Sequence, residues 1–236
     1  MQRFQPYESP ALREAIGPAL RPGGLELTER AARFCRLAPG DRVLDVGCGI
    51  GATAAYLQKH FQVAAVGIDA SGLLLAQARA SRPPLSLVRG DGVHLPFPSG
   101  LFAAVFCECV LSLIENHSKA LEEFYRILGP GGHLVLTDLY WRSPGSPEMG
   151  SHPTARGCLA GALPRHQLEQ QVAAAGFTLL LWEDHSEHLK RLAAKLAWDS
   201  IRVADLWGAA CRPGPGANGR PGYGLLVGRK RRVSHG

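Results

Sequence analysis

The sequence predicts a doubly wound α/β protein: a mostly parallel seven-stranded sheet with an antiparallel edge strand at its C-terminal end. Three observations predict it. Short apolar runs alternate with helical stretches from Arg42 onward, the pattern of parallel strands joined by crossover helices on both faces. A glycine-rich turn, Gly47-Cys48-Gly49-Ile50-Gly51, closes the first strong strand and opens a helix, as ligand-binding α/β turns do. Two late strands are separated by a long detour, which returns the last one antiparallel.

In chain order, residues 1–40 form a lead-in read as a lid, with Pro18, Pro22, Gly23 and Gly24 ahead of a helix over 25–35. Pro39-Gly40 marks a turn before the strand 42–46. Helix 52–59, strand 63–68, helix 72–80 and strand 85–88 follow. A loop holding Pro96 and Pro98 leads to strand 102–107, then to helix 119–128, which Gly129-Pro130-Gly131-Gly132 ends ahead of strand 133–139. Residues 140–163 read as a substrate-side insertion in a domain spanning 41–236. Helix 165–175 stops at Gly176, where a left-handed cap suits glycine. Strand 177–182, a helical stretch over 186–207, a Pro/Gly-rich link over 212–222 and strand 223–228 complete the chain.

The 236 residues, 46% hydrophobic, fill one core and little more. Charged residues at 19% argue against disorder. The net charge of +6 is unevenly placed: residues 1–150 hold 14 bases and 14 acids, whereas 151–236 hold 12 and 6. Four of those bases are consecutive, Arg229-Lys230-Arg231-Arg232, without interleaved aromatics, so they read as a solvated tail rather than a nucleic-acid surface. No run approaches the ~20 apolar residues that cross a bilayer. The first residues lack a signal-like core, and the expectation is a cytoplasmic protein whose six cysteines are free thiols. No metal centre is expected, the partner is a small molecule, and the oligomeric state stays open.

Asp69 lies 22 residues beyond Gly47, at the end of the second strand. That is the place of an acid that hydrogen-bonds ribose hydroxyls. The turn reads G-x-G-x-G and follows Asp45. A pyrophosphate gains nothing from a neighbouring carboxylate, whereas a ligand with an ammonium and a sulfonium does. Taken singly, each acid could be a loop or helix cap; together with Asp91 they stand at three successive strand ends, where open α/β sheets bind ligands.

Over 41–139 the chain resembles the class I S-adenosylmethionine-dependent methyltransferases, on residues 43–51, Asp69, Gly90-Asp91-Gly92 and 128–138. The resemblance implies a Rossmann-like fold with S-adenosylmethionine as cofactor. It implies that Asp45, Gly47 and Gly49, with the backbone of Cys48, hold the methionine portion. Asp69 with Ala70 takes the ribose and Asp91 the adenine amino group, against a wall of Gly92 and Val93. Cys107 and the lid residue Tyr7 complete the implied cofactor set. Ala103 departs from the acid that many relatives carry there, which leaves this set intact.

Attack on a sulfonium methyl needs an in-line nucleophile, and a base only if that nucleophile arrives protonated. Residues 107–113 and 157–163 place Cys109 and Cys158 49 residues apart. These segments, with 116–139 and Ala175-Gly176-Phe177, resemble the arsenite methyltransferases. In that subgroup the two matching cysteines hold trivalent arsenic, so Cys109 and Cys158 are the candidate substrate-contacting pair. The chain departs from the subgroup in having glycine, not cysteine, in the stretch 20–25; Cys35 and Cys48 do not replace what is missing. Two readings therefore stand: a soft or metalloid acceptor held by the thiols, or an ordinary metabolite with both cysteines packing as small apolar groups. Beside them, His94 reads as a capped loop residue, and Asp184-His185 and Glu187-His188 as a helix start favoured by its dipole rather than a metal site. Rival functions are a nicotinamide oxidoreductase, which the turn spacing and Asp45 oppose, and a non-enzymatic module that only binds S-adenosylmethionine.

Overall fold

The computed structural model describes residues 6–8, 17, 19, 21–80, 84–142, 158–198 and 220–232. Eight strands form one sheet: β1 (Arg42–Val46), β2 (Ala64–Asp69), β3 (Ser86–Arg89), β4 (Phe102–Glu108), β5 (Leu128–Trp141), β6 (Leu163–Pro164), β7 (Phe177–Asp184) and β8 (Pro221–Lys230). Their order is β3-β2-β1-β4-β5-β8-β7, with the two-residue β6 paired alongside the end of β5. The first five strands are parallel neighbours, and β8 runs antiparallel to both β5 and β7. The order reverses between β1 and β4, so a crevice opens beyond the ends of those strands.

Two helix layers cover the sheet because its strands alternate apolar residues to both sides. Leu44, Val46, Val105, Leu134 and Leu136 pack beneath α4 (His117–Ile127) and α6 (Arg165–Ala174), against Leu121, Phe124, Leu168 and Val172. On the other face Val43, Ala65, Ala104 and Phe106 meet Ala31, Ala32, Ala54 and Leu57 of α1 (Glu26–Phe34) and α2 (Ala52–Phe61). The alanines on this side let helix and sheet backbones come close. Towards the strand ends, α7 (Ser186–Trp198) buries Leu189, Leu192 and Leu196 with Leu27, Leu139, Cys109, Cys158 and Tyr223. The remaining helices are short: α3 (Gly72–Ala78), capped by the Ser71 hydroxyl, and α5 (Cys158–Gly161).

Several boundaries differ from the sequence reading. The antiparallel strand is not the edge: β8 inserts between β5 and β7, and β7 is outermost. Its residues 222–227 are buried throughout, as suits a strand covered on both faces. Helix α4 begins at His117 rather than 119 because Asn116 caps it, its side chain accepting the Lys119 N–H at 2.9 Å. Strand β5 already starts at Leu128, opposite Phe102, and the next paired residues are His133 and Ala104. The Gly129–Gly132 run is thus a bulge within a strand, not a spacer ahead of one. The basic segment 229–232 is only partly a solvated tail. Lys230 Nζ donates to the carbonyls of Tyr125 and Leu128 at 2.7 Å each, at the C-terminus of α4, and lies 4.6 Å from the Tyr125 ring centre. The expected helix over 199–207, most of the 212–222 link, residues 143–157 of the expected insertion and much of the lead-in lie outside the described residues. Among those described, no helix is long and apolar enough to cross a membrane.

Candidate active site

The acids singled out in the sequence all stand at strand ends on the crevice side. Asp45, on β1 between Gly67 of β2 and Phe106 of β4, is 3% exposed. Its Oδ2 is buried and has no hydrogen-bond partner. Burial, reinforced by the nearby Glu108 carboxylate and opposed by Arg21, pushes its pKa well above the usual carboxylate range. An orphaned buried carboxylate oxygen is costly unless a ligand completes it.

The glycine turn wraps this position. The N–H groups of Gly47 and Cys48 both donate to the Ile68 carbonyl, at 2.8 and 3.1 Å. Gly47 has φ +69°, and a Cβ there would lie 2.3 Å from Val110 Cγ2, so only glycine lets the turn close against the segment after β4. Gly49 has open space where its Cβ would be, the room a ligand needs beside the turn. Its N–H donates to Asp69 Oδ2 at 2.8 Å, and Asp69 Oδ1 accepts the Ser71 N–H at 2.7 Å. Asp69 therefore ties the turn to the end of β2; burial raises its pKa and these N–H groups oppose the rise. The exposed Ala70 follows it.

Asp91 is exposed, with Oδ1 accepting the Val93 and His94 N–H groups at 3.0 and 2.9 Å. Beneath it Gly92 is packed against Ile114, and Val93 is half-buried. His94 is exposed and 3.6 Å from Asp91. Cys48 and Cys107 keep their side chains out of the crevice. Cys48 Sγ packs on Gly67, and Cys107 lies wholly within the core under α4, so both stand at the crevice through backbone alone.

Two clusters adjoin these acids, the first not legible in the sequence, the second built around the cysteine pair and Tyr7 that the sequence had singled out. In the first, Arg21 and Glu108 form a buried pair at 2.8 Å. Arg21 Nη2 also donates to Thr28 at 2.6 Å and Thr53 at 2.8 Å, and both threonine hydroxyls donate to Glu108. This network fastens the segment before α1 over β4 and α2, next to Asp45. Glu108 could have been suspected from its place at the end of β4; Arg21, in a Pro/Gly-rich lead-in, carried no such signal.

The second cluster joins the cysteine pair. Cys109 takes φ +57°, uncommon for a residue with a Cβ, and its N–H donates to the Thr137 carbonyl. Its thiol donates to the Tyr223 hydroxyl at 3.3 Å, which donates on to Thr137 Oγ1 at 3.1 Å. Cys158, on α5, sits in the same buried cluster within electrostatic reach of Cys109. Helix α5 settles directly on Ser112 because Gly161 has no Cβ, which would lie 2.1 Å from the Ser112 carbonyl oxygen. Ser112 donates to Asp138 Oδ1 at 2.7 Å. Tyr7 closes the group: its hydroxyl meets Cys158 Sγ at 2.6 Å. Burial pushes Cys158 up to about 12 and Cys109 upward too, so both are neutral thiols at pH 7. Burial likewise raises Asp138 to about 6, against the Ser112 and Leu139 donors.

All five described cysteines are free and buried, and among the described residues no group of three His, Cys, Asp or Glu is placed to hold a metal ion. Asp184 accepts the Ser186 N–H and hydroxyl at the start of α7 and pairs with Arg142 at 2.6 Å, while His185 pairs with Glu183 at 3.0 Å. The helix-start reading of that segment thus fits the structure.

A methyltransferase-domain family model matches residues 44–136. Phosphoethanolamine N-methyltransferase 3 of Arabidopsis thaliana is 30% identical over 179 residues, 72% of this chain and 35% of that protein. The arsenite methyltransferase of Halobacterium salinarum is 26% identical over 152 residues, 61% of this chain and 39% of its own length. The chain thus spans about a third of the length of the curated relatives it matches. Among solved structures, the [4+2]-cyclase SpnF superposes with a TM-score of 0.72 at 29% identity, covering 91% of this chain and 84% of that one. The matched segment begins on β1 and ends on β5, enclosing the glycine turn and all three strand-end acids, so residues 44–136 form a methyltransferase domain of the class I, S-adenosylmethionine-dependent kind.

Proposed function

We propose that the protein binds S-adenosylmethionine at the ends of β1 to β3 and transfers its methyl group to a small, soft acceptor held by Cys109 and Cys158. The observation that carries the acceptor half is the convergence of two cysteines, 49 residues apart in sequence, with the Tyr7 hydroxyl in one buried cluster beyond β4 and β5. Arg21 lies within electrostatic reach of both Asp45 and Cys109, so the two halves of the site adjoin.

The orphaned Asp45 Oδ2 suits an ammonium, and the open space at Gly49 suits close backbone approach; on these grounds the residues fit the cofactor. Asp45 and the 47–49 turn would hold its methionine portion, Asp69 its ribose, and Asp91 its adenine beside Gly92 and Val93. When bound, the cofactor supplies an electrophilic methyl on a sulfonium. The chain's own residues then bind, orient and keep out water. Soft sulfur ligands select a thiophilic acceptor. As each thiol binds a hydroxylated acceptor, its proton leaves with one acceptor hydroxide as water, and the acceptor's lone pair is left for the methyl. The left-handed backbone at Cys109 and the seating of α5 on Ser112 fix the sulfur positions. Such positioning, rather than a base, is what attack on a sulfonium chiefly requires.

A methyl-transfer screen with labelled cofactor tests this, with arsenite, low-molecular-weight thiols and phosphoethanolamine as acceptors. Turnover of a thiophilic acceptor should fall roughly a hundredfold in Cys109→Ser and in Cys158→Ser, with cofactor affinity retained. Equal turnover in wild type and both variants would remove the thiols from the reaction. A second reading follows from the likeness to the [4+2]-cyclase SpnF: the site serves a ring closure rather than methyl transfer. Cofactor binding without transfer to any acceptor would favour it.

A further inference from the structure

Two buried polar atoms at this site, from different parts of the chain, lack partners: Asp45 Oδ2 and Arg21 Nε. The rest of the Arg21 guanidinium is committed. Its Nη2 serves Glu108, Thr28 and Thr53, and its Nη1 donates to the Ala19 carbonyl at 3.3 Å. Glu108 is equally spent, its oxygens taken by Arg21, Thr28 and Thr53. The guanidinium is therefore held in place through both of its Nη atoms, while its buried Nε N–H has no partner. A fully buried cation with a free donor costs free energy in isolation and is well suited to an arriving anion.

Asp45 and Arg21 lie within electrostatic reach of one another, and Asp45 has the opposite charge and its own orphaned acceptor. Between them they offer one free carboxylate oxygen and one free guanidinium N–H. The chemical complement is an α-amino acid end, with its ammonium on Asp45 and its carboxylate on Arg21.

We infer that Arg21 is the carboxylate-binding residue for the amino acid end of the ligand, held ready by Glu108, Thr28 and Thr53, and that it discriminates ligands bearing that end from those lacking it. The inference rests on S-adenosylmethionine as the ligand. It adds a residue from the lead-in segment, outside the glycine turn and outside the matched segment 44–136.

The test compares S-adenosylhomocysteine with 5′-methylthioadenosine, which shares the nucleoside and thioether but has no amino acid end. Both are titrated calorimetrically into wild type and Arg21→Lys. Lysine keeps a cation against Glu108 but has no equivalent of Nε. Loss of a charge-assisted bond should weaken S-adenosylhomocysteine roughly tenfold to a hundredfold, and methylthioadenosine less than about twofold. Parallel weakening of both ligands would make Arg21 a structural residue and overturn the inference, as would no change in either. Should Arg21→Lys melt far below wild type, Thr53→Ser with Thr28→Ser retains the bonds to Arg21 and must retain the wild-type ratio of the two affinities. Wild type binding neither ligand would instead sink the cofactor reading, and this inference with it.

Discussion

Asp138 shows how one buried group links the site to the solution. Its carboxyl is raised to about 6 by burial, whereas an unfolded aspartate titrates near ~3.9. Between those values the folded chain holds a proton that the unfolded chain has lost. This contribution is therefore fully present below about pH 4 and fades as pH rises through 6. Its size is on the order of 3 kcal/mol. Asp138→Asn should flatten the fall of unfolding free energy between pH 4 and 6, read by denaturant titration at each pH. Asp45, raised by burial in the same sense, leaves a residual slope. An unaltered profile would mean that Asp138 does not hold the proton. The same residue scale explains what the sequence concealed. Asp45, Asp69 and Asp91 stood out because each stands at the C-terminal end of a strand. Arg21, Ser112 and Tyr223 acquire their roles only from partners 87, 26 and 114 residues away, and no local pattern marks such pairs.

Among elements, the C-terminus of α4 is held by a side chain from elsewhere in the fold. Lys230 of β8 satisfies two carbonyls at the end of α4 and stacks against Tyr125. Burial lowers its pKa, yet the ammonium sits where the helix dipole favours a cation. Lys230→Met should cost about 1–2 kcal/mol in chemical denaturation, whereas Arg231→Met, exposed on the same segment, should cost almost nothing. Equal effects would return the whole basic run to the status of a solvated tail. The apolar and glycine patterns placed seven strands and the main helices along the chain to within a few residues. What they did not place was β6, two residues long and without a period of its own. They also missed the Gly129–Gly132 bulge, since glycine and proline signal a break but not whether pairing resumes around it.

For the whole molecule, stability should be graded across the sheet. β4, β5 and β8 are central and almost wholly buried. β3 is a four-residue edge strand with no fully buried residue. Amide exchange should be slowest in β4, β5 and β8 and fastest in β3 among the strands. Protection in β3 equal to that in β5 would contradict this grading and point to something covering that edge. The gradient bears on function, because the expected adenine-side acid, Asp91, follows the weakest strand, whereas Asp45 stands on the buried strand β1 and Cys109 directly follows β4.

The sequence by itself determined the alternation of strands and helices, the glycine turn and the three acids at strand ends. These are local properties: apolar periodicity, a left-handed turn and a residue's place at the end of its own strand all lie within a dozen neighbours. Only the tertiary structure decided the insertion of β8 between β5 and β7, the Arg21–Glu108 network beside Asp45, and the meeting of Cys109, Cys158 and Tyr7. Those depend on which distant surfaces bury one another. Hydrophobic burial is non-directional, so a sequence shows which residues seek the core but not which of them will touch.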